Sequence, residues 1–308
     1  GDTALDFRLL EYIVKIAEEN NITKASEKLF ISQSALNQQL LKLEQELGTR
    51  LFHRSRTNWH LTEAGKIYVE GARDALKIKH DTYTRIQDIC DSKTGTLTIG
   101  LTHGRGIYMF ASLYPELHSR YPGLDLRPVE MNVYKQQEAI VQGSIDMGFL
   151  ALSREQRTSD CYENLISEEM VLALPASHPA AGSANPPGRP LAVINLDLLK
   201  DTPFVLLFKE SSLHEIVDNA FKEAGFEPSL LFETSNTVSI LMMVQSTYCC
   251  GVVPYFYSRK YPEGVVYFAL PGHPCWDLAI SYRKDIYLSS AARDFIELAK
   301  EYWENQKG

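Results

Sequence analysis

The chain has 308 residues, 44% of them hydrophobic and 23% charged, a composition that fits a folded globular protein with apolar material for two or three domains. No apolar run approaches the ~20 residues that a membrane-spanning helix needs, which excludes a transmembrane reading. The net charge of −8 argues against nucleic acid only as a sum. Residues 1–95 carry 14 basic and 14 acidic side chains, the remainder 17 and 25. Within 24–66 seven basic residues (Lys24, Lys28, Lys42, Arg50, Arg54, Arg56, Lys66) face four acidic ones. That region is locally basic, as a surface for phosphate requires. Gly1 in place of methionine is read as a trimmed start or cloning remnant, and no signal peptide opens the chain. The cysteines at 90, 161, 249, 250 and 275 are odd in number, lack CxxC spacing, and read as reduced thiols of a cytoplasmic protein.

The first predicted helix, Phe7 to Glu19, places Phe7, Leu10, Val14 and Ala17 at helical spacing. Asn20-Asn21-Ile22-Thr23 breaks it and offers Thr23 as N-cap of a short helix, Lys24 to Leu29, with Ala25 and Leu29 inward. Phe30-Ile31 is a tight connection. Ser32 is then placed to cap a third helix running to about Leu47, with Leu36, Leu40, Leu43 and Leu47 on its buried face and Gly48 as its C-cap. Two helices joined by a very short turn, the second opening with polar residues, form a helix-turn-helix. The free N–H groups and dipole of the second helix favour phosphate. Gln33, Ser34, Asn37 and Gln38 point away from the leucine stripe and can reach base edges. Each of them taken alone fits a solvated polar face equally well.

Thr62 caps a further helix that reaches about Ile89, ~43 Å at ~1.5 Å per residue. Ala64, Ile67, Tyr68, Gly71, Ala75, Ile78, Ile86 and Ile89 recur at three- and four-residue steps along it. Few monomers can bury one side of so long a helix, although packing on its own domain remains the alternative. Asp91 to Gly95 is a hinge.

Past residue 95 strands and helices alternate: strand Thr96–Leu101, helix Tyr108–Tyr121, strand Leu124–Val129, helix Tyr134–Gln142, strand Ile145–Leu150. Val171 to Pro175 is a crossing strand and Pro179 to Pro190 a surface loop. A second unit follows, with strands at Phe204–Phe208, Leu230–Glu233, Cys250–Pro254, Val265–Leu270 and Leu278–Tyr282, and helices at Leu213–Ala224, Thr237–Gln245 and Ser290–Asn305. This alternation implies parallel sheets with helices on both faces. Two such lobes joined by crossing strands enclose a cleft, with a ligand at strand C-termini.

Thr102, His103, Gly104 and Arg105 follow the first of these strands; Asn132, then Lys209, Ser211 and Ser212, and then Thr234-Ser235-Asn236 precede other helices. Helix N-termini with hydroxyls and nearby cations suit an anion, so a carboxylate or other small anionic metabolite is expected. Ordinary N-capping accounts for the same residues without a ligand. Leu150, Ala151 and Phe208 are expected to line the cleft. The 16 Tyr and 13 Phe also permit an aromatic ligand.

No G-x-S-x-G, GxGxxG after a strand, P-loop or HExxH occurs, and the histidines at 103, 118, 178, 214 and 273 have no metal-ligand spacing. Neither an enzyme nor a cofactor is expected. A transport-type solute-binding protein would match the C-terminal half alone, and a purely architectural DNA-binding protein the N-terminal part alone.

The ordered run Ala25-Ser26-Glu27-Lys28-Leu29, Ser32-Gln33-Ser34-Ala35-Leu36, Leu43-Glu44-Gln45-Glu46-Leu47-Gly48-Thr49-Arg50-Leu51-Phe52, Arg54 and Leu61-Thr62-Glu63-Ala64-Gly65 closely resembles the signature of LysR-type transcriptional regulators. Gly143 to Gly148, Leu174 to Pro179, Ala224 to Pro228 and Gly251 to Pro254 resemble that family's effector domain in order and spacing. Gln245 to Cys250 departs from it, since the family usually has Gly-rich sequence there.

The resemblance implies an α + α/β protein: an N-terminal winged helix-turn-helix (1–61), a long linker helix (62–90), a hinge (91–95), and a C-terminal two-lobed α/β effector domain (96–308) like that of periplasmic binding proteins. Lobe I is about 96–167 with 271–308, and lobe II about 168–270. It implies a wing at Arg54-Ser55-Arg56-Thr57 that meets phosphates or the minor groove. It also implies a recognition helix opened by Ser32, Gln33, Ser34, Asn37 and Gln38, with Lys42 beside them. Asn37 and Gln38 depart from the serine and arginine common there, which points to a particular operator. The implied partners are a double-stranded DNA operator, a small-molecule effector, a second subunit paired through the linker helix, a dimer of such dimers, and RNA polymerase. Some members of the family sense oxidation, which brings Cys249-Cys250 into view. Adjacent cysteines on a strand point to opposite faces, which favours two buried thiols over a mutual disulfide.

Overall fold

The computed structural model describes residues 6–56, 58–90, 94–246 and 248–306. The chain forms two compact units, Gly1–Asp91 and Ser92–Gly308.

In the first unit α1 (Phe7–Glu19), α2 (Ile22–Leu29) and α3 (Gln33–Leu47) enclose a small core of Leu10, Ile13, Ile16, Ala25, Leu36 and Leu40. The antiparallel pair β1 (Phe52–His53) and β2 (His60–Leu61) closes it, and α4 (Glu63–Ile89) runs out from it. Ser32 caps α3 through a 3.2 Å bond from the Ala35 N–H, and Gly48 ends it at φ 68°. Two local expectations differ. Asn21, not Thr23, caps α2, by accepting from the Lys24 N–H at 3.0 Å, so the helix starts two residues earlier. Leu47 is exposed (47%) rather than buried. It lies one turn past Leu43, beyond the end of the core, and Glu44 occupies the buried place. Gly65 on α4 passes so close to β1 that a Cβ there would sit 2.0 Å from the Leu51 carbonyl oxygen.

Helix α4 is capped by Thr62, whose hydroxyl accepts from the Gly65 N–H at 3.0 Å. Gly65, Val69 and Ala72 bury its first turns against its own unit. Ile67, Ile78, Ile86 and Ile89 stay more than half exposed along it.

The second unit is built from β3 (Thr94–Leu101), α5 (Arg105–Arg120), β4 (Gly123–Glu130), α6 (Val133–Gln142), β5 (Met147–Leu152), β6 (Cys161–Pro175), β7 (Pro203–Leu207), α7 (Ser212–Glu223), β8 (Ser229–Thr234), α8 (Thr237–Ser246), β9 (Cys250–Pro254), α9 (Phe256–Lys260), β10 (Val265–Ala269), β11 (Cys275–Tyr282) and α10 (Ser290–Asn305). Among the described residues the strand order is β4-β3-β5-β11-β6-β9-β7-β8, with β10 also paired to β6. Strand β3 is parallel to β4 and β5, and β11 runs antiparallel to β5. On the other side β7 is parallel to β8 and β9.

Strand β6 joins the two lobes. Its first part, Cys161–Glu169, pairs with β11, and its second part, Met170–Pro175, with β9 and β10. The chain returns through the segment between β10 and β11. The sequence reading starts this strand at Val171, because the charges of Glu163, Glu168 and Glu169 hide its first part. Trp303 of α10 is buried and stacks on Phe149 of β5 at 5.8 Å, which fastens the last helix to the first lobe.

Candidate functional site

Two surfaces carry polar groups in arrangements that a fold alone does not need. The first is the face of α3. Ser32, Gln33, Ser34, Gln38 and Lys42 are exposed and Asn37 is half-buried, opposite the buried Leu36, Leu40 and Leu43. The Thr23 hydroxyl donates to Gln33 Oε1 at 3.0 Å, which holds that side chain at the mouth of the helix. Thr23 therefore positions Gln33 rather than capping α2. The hydroxyls of Ser32 and Ser34 lie 3.1 Å apart.

The loop between β1 and β2 contains Arg54, Ser55 and Arg56; Thr57 lies outside the described residues. Arg56 is exposed. Arg54 is engaged in the fold: its guanidinium meets Glu44 Oε2 at 2.6 Å and stands 5.3 Å from the centre of the Trp59 ring. The other oxygen of Glu44 accepts the Leu51 N–H at 2.8 Å. The buried Glu44 thus ties α3 to the wing from both sides, and Arg54 is the cation that neutralises it.

The second surface is a cavity of about 280 Å³ between the two lobes of the C-terminal unit. That is just below the ~300–1,000 Å³ typical of ligand pockets. The first turns of α5, α6, α7 and α8 border it: Thr102, His103 and Arg105; Asn132 and Val133; Ser211 and Ser212; and Thr234, Ser235 and Thr237. Four helix N-termini turn their positive dipole ends toward one space. Helix α5 has no side-chain cap, because Gly104, at φ 71°, stands where a capping residue would. Its first N–H groups are the ones best placed to receive an anion. The lining also holds apolar side chains: Phe149, Leu207, Pro254, Trp276 and Leu278.

Thr102, His103, Arg105, Asn132, Ala151, Phe208, Ser211 and Thr234 all line this cavity. Leu150, Lys209 and Asn236 do not. Side chains on a strand alternate, so with Phe149 and Ala151 turned to the cavity Leu150 packs instead against Val133 and Leu152. Lys209 sits in an exposed turn closed by a Ser211 N–H bond to the Phe208 carbonyl, and Glu210 takes the lining place. Asn236 spends its side chain capping the Val238 N–H at 2.8 Å.

Arg105 is not a free cation. It is buried and ion-paired with Glu168 of β6, and stands 4.3 Å from the Phe256 ring centre and 5.0 Å from that of Trp303. Glu168 also accepts from the Phe256 N–H at 3.1 Å and from Trp276 Nε1 at 3.0 Å. One carboxylate thereby gathers groups from α5, α9 and β11 at the point where β6 passes between lobes.

A second set of bonds spans the lobes beside the cavity. Ser212 donates its hydroxyl to the Ala151 carbonyl at 2.6 Å. Gln156 Nε2 donates to the Ser212 carbonyl at 3.0 Å, and the Tyr134 hydroxyl donates to Glu215. Burial, reinforced by that carboxylate, pushes the Tyr134 hydroxyl up to about 12, while the bonds from Tyr134 and Gln156 hold Glu215 below the usual carboxylate range.

Cys249 and Cys250 are both buried, and burial pushes the Cys250 thiol well above its ordinary range, away from the reactive thiolate. Among the described residues no cluster of His, Cys, Asp or Glu could hold a metal ion, and no helix is long and apolar enough to cross a membrane.

Comparison with known proteins joins the two surfaces. Residues 7–66 match the model of the bacterial regulatory helix-turn-helix protein, lysR family, and residues 91–304 that of the LysR substrate binding domain. The chain is 32% identical over 307 residues to YwbI of Bacillus subtilis (strain 168), an uncharacterized HTH-type transcriptional regulator, covering 98% of this chain and 99% of the relative. It is 29% identical to the HTH-type transcriptional regulator BudR of Raoultella terrigena, covering 96% and 100%. It shares its fold with a full-length OxyR variant from Pseudomonas aeruginosa (TM-score 0.66, 24% identity, 97% of each chain). Full-length CbnR in complex with its target DNA is also similar (TM-score 0.57, 22% identity, 96% of this chain and 99% of that one). With a lysR-family helix-turn-helix at one end and a LysR substrate-binding domain over most of the rest, this chain belongs to the LysR family of DNA-binding transcriptional regulators.

Proposed function

We propose that the protein is a sequence-specific cytoplasmic regulator whose hold on DNA is set by a small organic monoanion, a carboxylate above all, bound between the lobes. The observation that carries the ligand class is the convergence of four helix N-termini, one of them uncapped, on a cavity also lined by apolar side chains. With Arg105 already neutralised by Glu168, the anion is held by dipoles and hydroxyls, and its apolar body meets Phe149, Trp276 and Leu278. Glu210 at the rim disfavours a second negative charge.

On the DNA side the proposal assigns base contacts to Gln33, Ser34, Asn37 and Gln38, backbone contacts to Ser32 and Lys42, and phosphate contacts to the wing through Arg56 and Thr57. Two subunits pair through α4. The exposed Ile67, Ile78, Ile86 and Ile89 support this, since water gains nothing from such a stripe. A dimer of dimers on two operator sites, and contact with RNA polymerase, follow from the family analogy. Ligand moves the equilibrium between two arrangements only by its differential affinity for them.

A thermal-shift screen of the full chain against small carboxylates, inorganic anions and neutral analogues tests the ligand class. A carboxylate at ~100 times its dissociation constant is expected to stabilise the native state by ~2.7 kcal/mol. Thr102→Val is expected to remove the response without moving the ligand-free transition. A response to neutral analogues with none to any carboxylate overturns the anion assignment.

A further inference from the structure

The turn between α2 and α3 holds a residue that the fold itself does not need. Phe30 ends α2 in the left-handed conformation, at φ 54° and ψ 40°. Its N–H and that of Ile31 close the turn on the Glu27 and Ser26 carbonyls, at 3.2 and 3.1 Å. Such a position usually takes glycine or asparagine, because a Cβ is crowded there. This chain follows that rule at the ends of the neighbouring helices: Asn20 ends α1 and Gly48 ends α3, both left-handed. At Phe30 it places a bulky aromatic side chain that is 94% exposed. The residue therefore carries backbone strain and wets an apolar ring, and neither is offset by any packing within its unit.

Its position indicates what does offset them. Ser32, two residues on, caps α3, and Ser32, Gln33 and Ser34 are exposed beside it. In a helix-turn-helix the start of the second helix enters the major groove and carries the preceding turn to the groove edge. Apolar matter is available there as thymine 5-methyl groups and deoxyribose C–H edges, and phenylalanine is among the side chains that pack on the former.

We infer that Phe30 is a DNA-contacting residue, whose ring packs on apolar surface of the operator at the entrance of the recognition helix. The inference rests on α3 being the recognition helix, and Gln33→Ala serves as the control for that premise.

The test uses the full-length protein and a duplex enriched by the wild type from a random library, with an unrelated duplex beside it. Phe30→Asn and Phe30→Gly suit the left-handed turn, so their unfolding temperature is expected to equal or exceed that of the wild type. Their affinity for the enriched duplex is expected to fall about tenfold, the size of one lost base contact. The salt dependence of binding is expected to stay unchanged, since an apolar contact releases no counterions. Phe30→Met, which keeps an apolar side chain, should retain most of the affinity. Thymine-to-uracil replacement along the duplex separates the two sources. If one such position weakens the wild type but not Phe30→Gly, the contact is a thymine methyl; if none does and both duplexes weaken alike, it is deoxyribose. Wild-type affinity of Phe30→Asn for both duplexes, with Gln33→Ala still impaired, overturns the inference and leaves the ring to a protein partner. Wild-type affinity in all these variants, Gln33→Ala included, removes the recognition-helix premise itself.

Discussion

Replacing Glu168 by alanine is expected to destabilise the C-terminal unit by about 3–5 kcal/mol, because it leaves the Arg105 guanidinium buried without its counter-charge. Both side chains are more than nine-tenths buried. Arg105 already has two nitrogens, Nε and Nη2, with no partner, so it has no second acceptor to turn to. The same substitution orphans the Phe256 N–H and the Trp276 indole N–H, whose acceptor is this carboxylate. Glu168→Gln should cost less, since its single amide oxygen, placed at the Oε2 position, still accepts from Arg105 and Trp276, while the charge and the acceptor of the Phe256 N–H are lost. The double change Arg105→Met with Glu168→Leu should be milder than Glu168→Ala alone, because it removes both charges together and keeps the volume apolar. Trp276 and Trp303 flank the pair, so with Trp59 of the other unit changed to Phe, tryptophan fluorescence during urea unfolding follows the transition of this unit. If Glu168→Ala unfolds at the wild-type urea concentration, Arg105 has an escape to water and the pair does not hold the lobe crossing.

What could be read from the sequence was whatever depends on neighbours a few residues away. Leu36, Leu40 and Leu43 of α3, its Ser32 cap, its Gly48 end and the span of α4 are local patterns, and they appear in the structure where the sequence puts them. Asn21 and Thr23 stand two residues apart and either side chain can cap a helix; only the geometry chooses Asn21. Leu47 follows the helical period faultlessly, but a period does not say where the core ends.

The cavity was legible only in part, for a related reason. Residues that open helices, such as Thr102, Asn132, Ser211 and Thr234, announce themselves through capping chemistry. Pro254, Trp276 and Leu278 from distant strands and Tyr257 from α9 reach the same space and leave no local mark. Arg105 shows the limit most sharply. Its charge suggested an anion site, yet that charge belongs to a partner 63 residues away. The proposed anion is therefore placed at helix ends rather than on a cation.

Arg54 reverses in the same way, and its prediction is the second large one. Read as part of a wing, Arg54→Ala should weaken DNA binding and leave stability alone. The structure gives the opposite emphasis: removing Arg54 strands the Glu44 carboxylate, whose side chain is only 7% exposed, with the Leu51 N–H as its remaining partner. Losing a hydrogen bond to a buried charged group costs about 1.5–3 kcal/mol. Arg54→Ala is therefore expected to unfold the N-terminal unit earlier, with Trp59, 5.3 Å from the guanidinium, as the fluorescent reporter. Glu44→Ala should be at least as damaging, since it also frees the Leu51 N–H at a residue that is 1% exposed. Arg56→Ala, at an exposed site, should leave stability within about 0.5 kcal/mol of wild type. It should instead flatten the salt dependence of DNA binding by roughly 0.9 in log–log slope, the signature of one lost phosphate contact. If Arg54→Ala leaves unfolding untouched and flattens the salt slope as Arg56→Ala does, then Arg54 leaves Glu44 for phosphate, and the wing is held by packing of Phe52 and Trp59 alone.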